Sequence, residues 1–408
     1  VERVAVAWML NNRLLLVVAM LSRASAYMVG GGSMVARAAG RVHVRTMALK
    51  TGIVGMPNVG KSTLFNALME EAQAQAANFP FCTIEPNVGV VAVPDKKLAV
   101  LGEMNLSEKL VPTSLSFVDI AGLVEGASKG EGLGNKFLAN IRECDAIVHT
   151  VRCFVDDNVI HVSGSVDPLR DIEIINLELI LADLAQVDKR AQKLGKDKSA
   201  SEEEKSAIAK LMVAFDEGKA ARQVDLSEEE LESVKGLGLL SAKPIIYAAN
   251  VADEDLATGN AMVEQVRTFA ATEGSSVVIV SAQVEAELVE LDDDERVEFL
   301  DSLGVTKGEV GLERLIPEVY SLLNLRTYYT SGPTETKAWT IKGGWLAPQA
   351  AGVIHSDFEK GFIRAETVAY DDLVAAGSMK EAKAAGKVNA EGKEYEVKDA
   401  DVLLFLFN

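Results

Sequence analysis

GIVGMPNVGKST, residues 52–63, decides the fold. A short apolar strand, TGIV at 51–54, leads into a loop, and LFNALM after Thr63 begins a helix. Between them Gly55-Met-Pro-Asn-Val-Gly60-Lys61-Ser62 fits the phosphate-loop pattern G-x-x-x-x-G-K-S/T. Glycines in that pattern let the backbone curl until its N–H groups point inward at phosphate, and the following helix adds the positive end of its dipole. The expected cradle is Asn58, Val59, Gly60, Lys61, Ser62 and Thr63. Lys61 would reach the β- and γ-phosphates, and the Ser62 hydroxyl would ligate Mg²⁺. This strand–loop–helix predicts an α/β nucleotide-binding domain with a mostly parallel sheet. It is silent about the base.

A chain of 408 residues has room for two or three domains, each with its own core. Hydrophobic residues make up 48% and charged residues 25%, an ordinary globular composition. A formal charge of −19 argues against non-specific nucleic-acid binding, which needs positive potential, and no basic patch stands out. Cys82, Cys144 and Cys153 form no C-x-x-C pair, so a reduced compartment without disulfides or zinc is expected. No apolar run reaches the ~18 residues needed to span a bilayer, and no membrane partner is expected.

Residues 1–46 differ from the rest. They carry Arg3, Arg13, Arg23, Arg37, Arg41 and Arg45 against the single acid Glu2. LLLVVAML (14–21) is a short apolar core, followed by an A-x-A pattern at Ala24 and Ala26. From Tyr27 to Thr46 the chain contains arginine, glycine and alanine but no acid. This order resembles the bipartite presequence of proteins sent to complex plastids. The alternative is upstream sequence with Met47 as the start, which implies a cytoplasmic protein. Both readings leave 1–46 outside the fold.

Two further motifs belong with the loop. NFPFCTIEPN (78–87) places Thr83 before a strand, where its hydroxyl can ligate Mg²⁺. LSFVDIAG (115–122) is an apolar strand ending in Asp119-x-x-Gly122. Asp119 would hold Mg²⁺ through water and the Gly122 N–H would sense the γ-phosphate, the logic of a nucleotide-state switch. Ras-type GTPases place a water-orienting glutamine next. Here the residue is Leu123, so hydrolysis must use other groups or await a partner. Asn58 is one candidate, since in related P-loops an asparagine at this point helps bind a monovalent cation such as K⁺ near the phosphates. His149, at the end of the strand DAIVHTV, is another. The glycine-rich stretch GLVEGASKGEGLGN (122–135) reads as a switch segment.

GIVGMPNVGKST, FPFCTIEPNVGVV, FVDIAGLVEGASKGEGLGNKFLANIRECDAI and VIHVSG together resemble the Obg-related family called YchF in bacteria and Obg-like ATPase in eukaryotes. The resemblance covers residues 48–408 and fits the bacterial or plastid branch better than the eukaryotic cytosolic one. It implies an Obg-type G domain over 49–305, and ATP hydrolysis in preference to GTP.

Guanine-binding members of the superfamily read the base with N-K-x-D. KPIIYAAN (243–250) leads here into Asn250-Val251-Ala252-Asp253, without the lysine. The resembled family carries N-x-x-E, a change associated with accepting ATP. Asp253 departs from it and could still pair with guanine, so a GTP-preferring enzyme stays open. Val251 would offer backbone contacts to adenine. VVIVSAQVEAE (277–287) puts Ser281-Ala282 where the base-contacting S-A-K loop belongs, with Gln283 replacing the lysine.

A helical hairpin is expected at about 165–238. Leu177, Ile180, Leu184, Val187, Ala191 and Leu194 form a coiled-coil seam. Ser201 and Glu204 predict a capping box opening a second helix with Ile208, Leu211 and Phe215 inward. From about 324, the short strands TYYTSG, KAWTIKGG, FIRAETVAY, EYEVKD and DVLLFLFN resemble a TGS domain, a β-grasp module, over 324–407. That resemblance implies contact with RNA or ribosome-associated factors. His355 would be structural, or would touch RNA beside Lys360 and Arg364. The expected protein is a Mg²⁺-dependent ATPase acting as a ribosome-associated switch. The alternatives are a ribosome-assembly GTPase and a binding module with incidental turnover. A metabolic kinase is disfavoured by the switch-type motifs and the lack of an acceptor lid.

Overall fold

The structure, a computed structural model, describes residues 49–76, 87–122, 133–194, 197, 200–306 and 308–408. Strand β1 (Lys50–Val54) passes through the phosphate loop into helix α1 (Lys61–Ala76). Next come β2 (Val88–Ala92), α2 (Lys96–Asn105), the two-residue β3 (Leu110–Val111) and β4 (Ser114–Asp119). Helix α3 (Leu133–Arg142) and β5 (Ala146–Arg152) precede the hairpin. The hairpin is α4 (Pro168–Leu194), α5 (Glu202–Asp216) and the short α6 (Glu228–Val234). The chain then returns through β6 (Ile245–Asn250), α7 (Ala261–Thr272), β7 (Ser276–Val280), α8 (Ala282–Val289), α9 (Asp293–Ser302) and α10 (Gly311–Leu322).

The first sheet runs β2-β4-β1-β5-β6-β7. It is parallel throughout except for β2, which lies antiparallel to β4. Strands β5 and β6 are buried along their whole length because helices cover both faces, which is why they read as largely apolar runs without alternation. One face packs Val148, Ile246 and Val278 against Leu64 and Leu68 of α1 and Leu315 and Ile316 of α10. The other packs Ile147, Tyr247 and Ala249 against Ile141, Ile172, Leu179 and Val263. The stretch between the two expected domains is therefore structured, with α10 packed on the first sheet. Register sets Ile53 beside Asp119 and Val54 beside His149, so the carboxyl ends of β1, β4 and β5 gather at one edge. Open α/β sheets bind ligands at that edge.

The hairpin buries Ile180 and Val187 against Ala207, Ile208, Leu211 and Phe215. Leu177 is half exposed and lies outside this seam, a correction to the heptad reading. Ser201 caps α5 by accepting from the Glu204 N–H at 3.2 Å. The Glu204 carboxylate grips the Arg190 guanidinium with two bonds of 2.6 and 2.7 Å, joining the two helices.

The C-terminal layer comprises β8 (Leu325–Ser331), β9 (Thr336–Lys342), α11 (Ala347–Ile354), α12 (Ser356–Lys360), β10 (Phe362–Ala369), α13 (Tyr370–Ala376), α14 (Met379–Ala384), β11 (Asn389–Glu391) and β12 (Asp401–Phe407). Its sheet runs β11-β10-β12-β8-β9-β3. EYEVKD forms no strand. A single bridge joins its Glu396 to Leu346, its Asp399 accepts the Thr327 N–H of β8 at 2.8 Å, and β11 supplies the edge beside β10. At the opposite edge β3 comes from the first half of the chain and pairs in parallel with β9. Among the described residues, no helix is long and apolar enough to cross a membrane.

Candidate nucleotide site

The phosphate loop is anchored by Met56 and Val59, whose side chains are buried. Gly60 has φ +97°, a region open mainly to glycine, and a Cβ there would run into the Asn250 amide. That amide explains why loop and base-reading segment stay together. Asn250 Nδ2 donates to the Val59 carbonyl at 2.9 Å, and its Oδ1 accepts from the Ala282 N–H at 2.9 Å. Beside it the Val251 N–H donates to the Val280 carbonyl of β7 at 2.9 Å, so that N–H is engaged within the sheet. Ser281 caps α8 and its hydroxyl donates to Asp253 Oδ1 at 3.1 Å.

At the phosphate end Lys61 is almost completely buried, and its Nζ donates to the Met56 carbonyl at 2.6 Å. Burial pushes its pKa down to about 8, and the Asp119 carboxylate partly offsets this. Gly122 lies against this amine, where a Cβ would come within 3.0 Å of Nζ and 3.2 Å of the Pro57 nitrogen. Ser62 and Thr63 are exposed at the start of α1. The Ser62 hydroxyl donates to Asp119 Oδ2 at 3.3 Å, while Asp119 Oδ1 is buried without a hydrogen-bond partner. A hydroxyl beside a carboxylate with one unsatisfied oxygen is a hard-oxygen donor set that fits Mg²⁺. Among the described residues no cluster of three or more His, Cys, Asp or Glu side chains suits a metal. Thr83, Leu123 and residues 124–132 of the glycine-rich stretch lie outside the described residues.

Two family models match. One, described as 50S ribosome-binding GTPase, covers residues 50–176, and a YchF GTPase C-terminal model, described as a protein of unknown function (DUF933), covers residues 325–408. The ribosome-binding ATPase YchF of Bacillus subtilis is 55% identical over 370 residues, covering 89% of this chain and all of the relative. Its counterpart from Escherichia coli O157:H7 is 55% identical over 367 residues, again 89% of this chain and all of the relative. The chain belongs to the YchF family. Among solved structures, the Schizosaccharomyces pombe YchF GTPase superposes with a TM-score of 0.79 at 39% identity, covering 88% of this chain and 98% of that one.

Within this YchF scaffold His149 sits inside the sheet. It is fully buried in β5, its ring 5.5 Å from that of Tyr247, and both ring nitrogens lack partners. Burial first, then the charges of Arg222 and Lys61, lower its pKa to about 3, so the imidazole is neutral at physiological pH. His355 accepts the Asp357 N–H at 3.1 Å and caps α12. Cys144 and Cys153 are free and buried, and burial pushes both thiols up.

Sequence reasoning missed Arg152. It ends β5 fully buried, donating to the carbonyls of Phe154 (3.1 Å), Val159 (2.9 Å) and Asp156 (3.2 Å). The available signal was an arginine closing a largely apolar strand, AIVHTVR.

Proposed function

We propose that this P-loop nucleotide hydrolase cleaves ATP in preference to GTP and that its nucleotide state governs its binding to ribosomes. The observation carrying the hydrolase reading is the convergence of Lys61, Ser62, the unsatisfied Asp119 oxygen and Gly122 beside one loop. Lys61 and the inward N–H groups neutralise charge on the phosphates, and Asn58 would supply an oxygen to K⁺. Mg²⁺, held by Ser62, Asp119 and the Thr83 hydroxyl, would neutralise β- and γ-oxygens. Ribosome binding is inferred from the relatives named ribosome-binding ATPases.

The preference for adenine rests on the base end. The Ser281 hydroxyl holds Asp253 through Oδ1 at 3.1 Å, which leaves lone pairs on both carboxylate oxygens, so this contact alone does not choose between the bases. Val251 replaces the stacking lysine. Equilibrium competition between ATP and GTP tests this, repeated with Asp253→Glu. ATP binding no better than GTP in the unmutated chain would sink the adenine preference. An unchanged ratio in the variant would show that Asp253 does not set it.

Leu123 supports a second reading, a binding module with incidental turnover. Single-turnover hydrolysis with and without ribosomes separates the two, because only the cycling enzyme is stimulated. RNA contact through the C-terminal domain is part of the same proposal, checked by crosslinking on ribosomes. For residues 1–46 we propose plastid targeting. A fluorescent fusion that stays cytoplasmic would favour Met47 as the start.

A further inference from the structure

Asn58 adopts φ +61° and its exposed side chain donates Nδ2 to the Ile160 carbonyl at 3.1 Å. A carbonyl can only accept, so this bond fixes which end of the amide faces Ile160 and leaves Oδ1, an acceptor and cation ligand, on the other side. Ile160 lies in a strap, residues 153–164, with no helix or strand of its own. Such a segment holds a carbonyl in place only if its backbone is tied down from within, and this one is tied at several points.

Arg152 lies beneath the strap with its guanidinium 4.6 Å from the Phe154 ring centre and bonded to the carbonyls of Phe154, Asp156 and Val159. At the near end the Cys153 N–H donates to Asn250 at 2.8 Å, and Asn260 donates to the Cys153 carbonyl at 2.8 Å. At the far end His161 Nδ1 accepts from the Ser163 N–H at 3.2 Å, so Nε2 carries the proton and donates to the buried Asp171 carboxylate at 2.8 Å. The strap thus runs from the base-reading segment, past the phosphate loop, to the first helix of the hairpin.

We infer that Arg152 is a positioning residue for the nucleotide site: it shapes the strap so that the Ile160 carbonyl locks the Asn58 amide with its oxygen outward. This rests on the reading that nucleotide occupies the phosphate loop. The Arg152 guanidinium bonds to strap carbonyls and acts on the site through Asn58, and that makes its effect separable from a general loss of packing.

The test is a double-mutant cycle on the full chain, reading equilibrium affinity for a non-hydrolysable ATP analogue with Mg²⁺. Asn58→Ala removes a polar contact to a charged ligand and should weaken affinity about tenfold. Arg152→Lys keeps a charge but loses the planar fork, and should weaken affinity by a comparable factor. The double variant should be no weaker than Asn58→Ala alone. Additive losses, or unchanged affinity in Arg152→Lys, would overturn the inference. Tm measured alongside should fall by the same amount in both backgrounds, because structural cost does not pass through Asn58. If Arg152→Lys does not fold, the cycle with His161→Gln, which loosens the far anchor, decides by the same criterion. Failure of the unmutated chain to bind the analogue would overturn the nucleotide reading, and this inference with it.

Discussion

Lys61 has to be both buried and charged. Its pKa of about 8, against 10.5 in water, means the fold favours the neutral amine between those values. The cost of the ammonium to the fold is therefore complete below about pH 8 and disappears as pH climbs towards 10.5. A bound phosphate reverses the preference by pairing with the charged form, so binding near pH 8 takes up a proton. Affinity for ATP should accordingly fall as pH rises from about 7 to about 9, approaching but not exceeding tenfold per unit. Calorimetry in buffers of different ionisation heat would report the proton, and a flat profile would refute the linkage. Lys61→Arg should flatten it, since a guanidinium stays charged. Asp119 predicts a different signature. Asp119→Asn should leave metal-free nucleotide binding nearly intact and abolish the strengthening that Mg²⁺ brings, and chelation of Mg²⁺ should leave the two proteins alike.

At the scale of elements, Asn250 shows how β6, the phosphate loop and α8 become one unit. Asn250→Ala leaves the buried Ala282 N–H without its acceptor and the Val59 carbonyl without a donor, at about 1–3 kcal/mol each. Because both ends of its amide engage protein backbone, ATP and GTP affinity should fall together with their ratio unchanged. A changed ratio in the competition assay would show direct base contact. This division also explains what the sequence made legible. The phosphate loop could be read because its geometry is local, set by glycines and a helix start within a dozen residues. The clamp by Asn250 joins groups 191 residues apart in sequence, and no periodicity encodes it. Arg152 was passed over because its partners are backbone carbonyls, which leave no side-chain motif. Leu177 fits the heptad but sits beyond the point where α5 covers α4, so spacing alone could not exclude it. EYEVKD alternates like a strand, but β11 already occupies that edge of β10.

Across the whole molecule, the two halves are joined through α2 and β3 as well as through α10. Leu98 and Leu101 of α2 pack with Tyr329, Ala338, Val368 and Val402 of the C-terminal sheet, and β3 extends that sheet. The Tyr329 hydroxyl reaches both oxygens of Asp95 at 2.9 and 3.1 Å, the same carboxylate that caps α2. Ser107 bonds across to Gly332 and Thr336, both at 2.8 Å. Helix α2 follows β2, and β2 pairs with β4, the strand that ends in Asp119, so a change at Asp119 has a continuous route into the C-terminal domain. Exchange of one nucleotide for another should therefore register at this junction before it registers at the far strands. Hydrogen exchange of the β3 and β9 amides should slow when a non-hydrolysable ATP analogue replaces ADP, while β10 and β11 change little. Leu101→Ala should cost about 2–5 kcal/mol by opening a cavity in the junction. It should also split one cooperative melting transition into two and erase the nucleotide-dependent difference at β9. If that difference survives while the melting splits, the signal travels through α10, and the route through α2 is wrong.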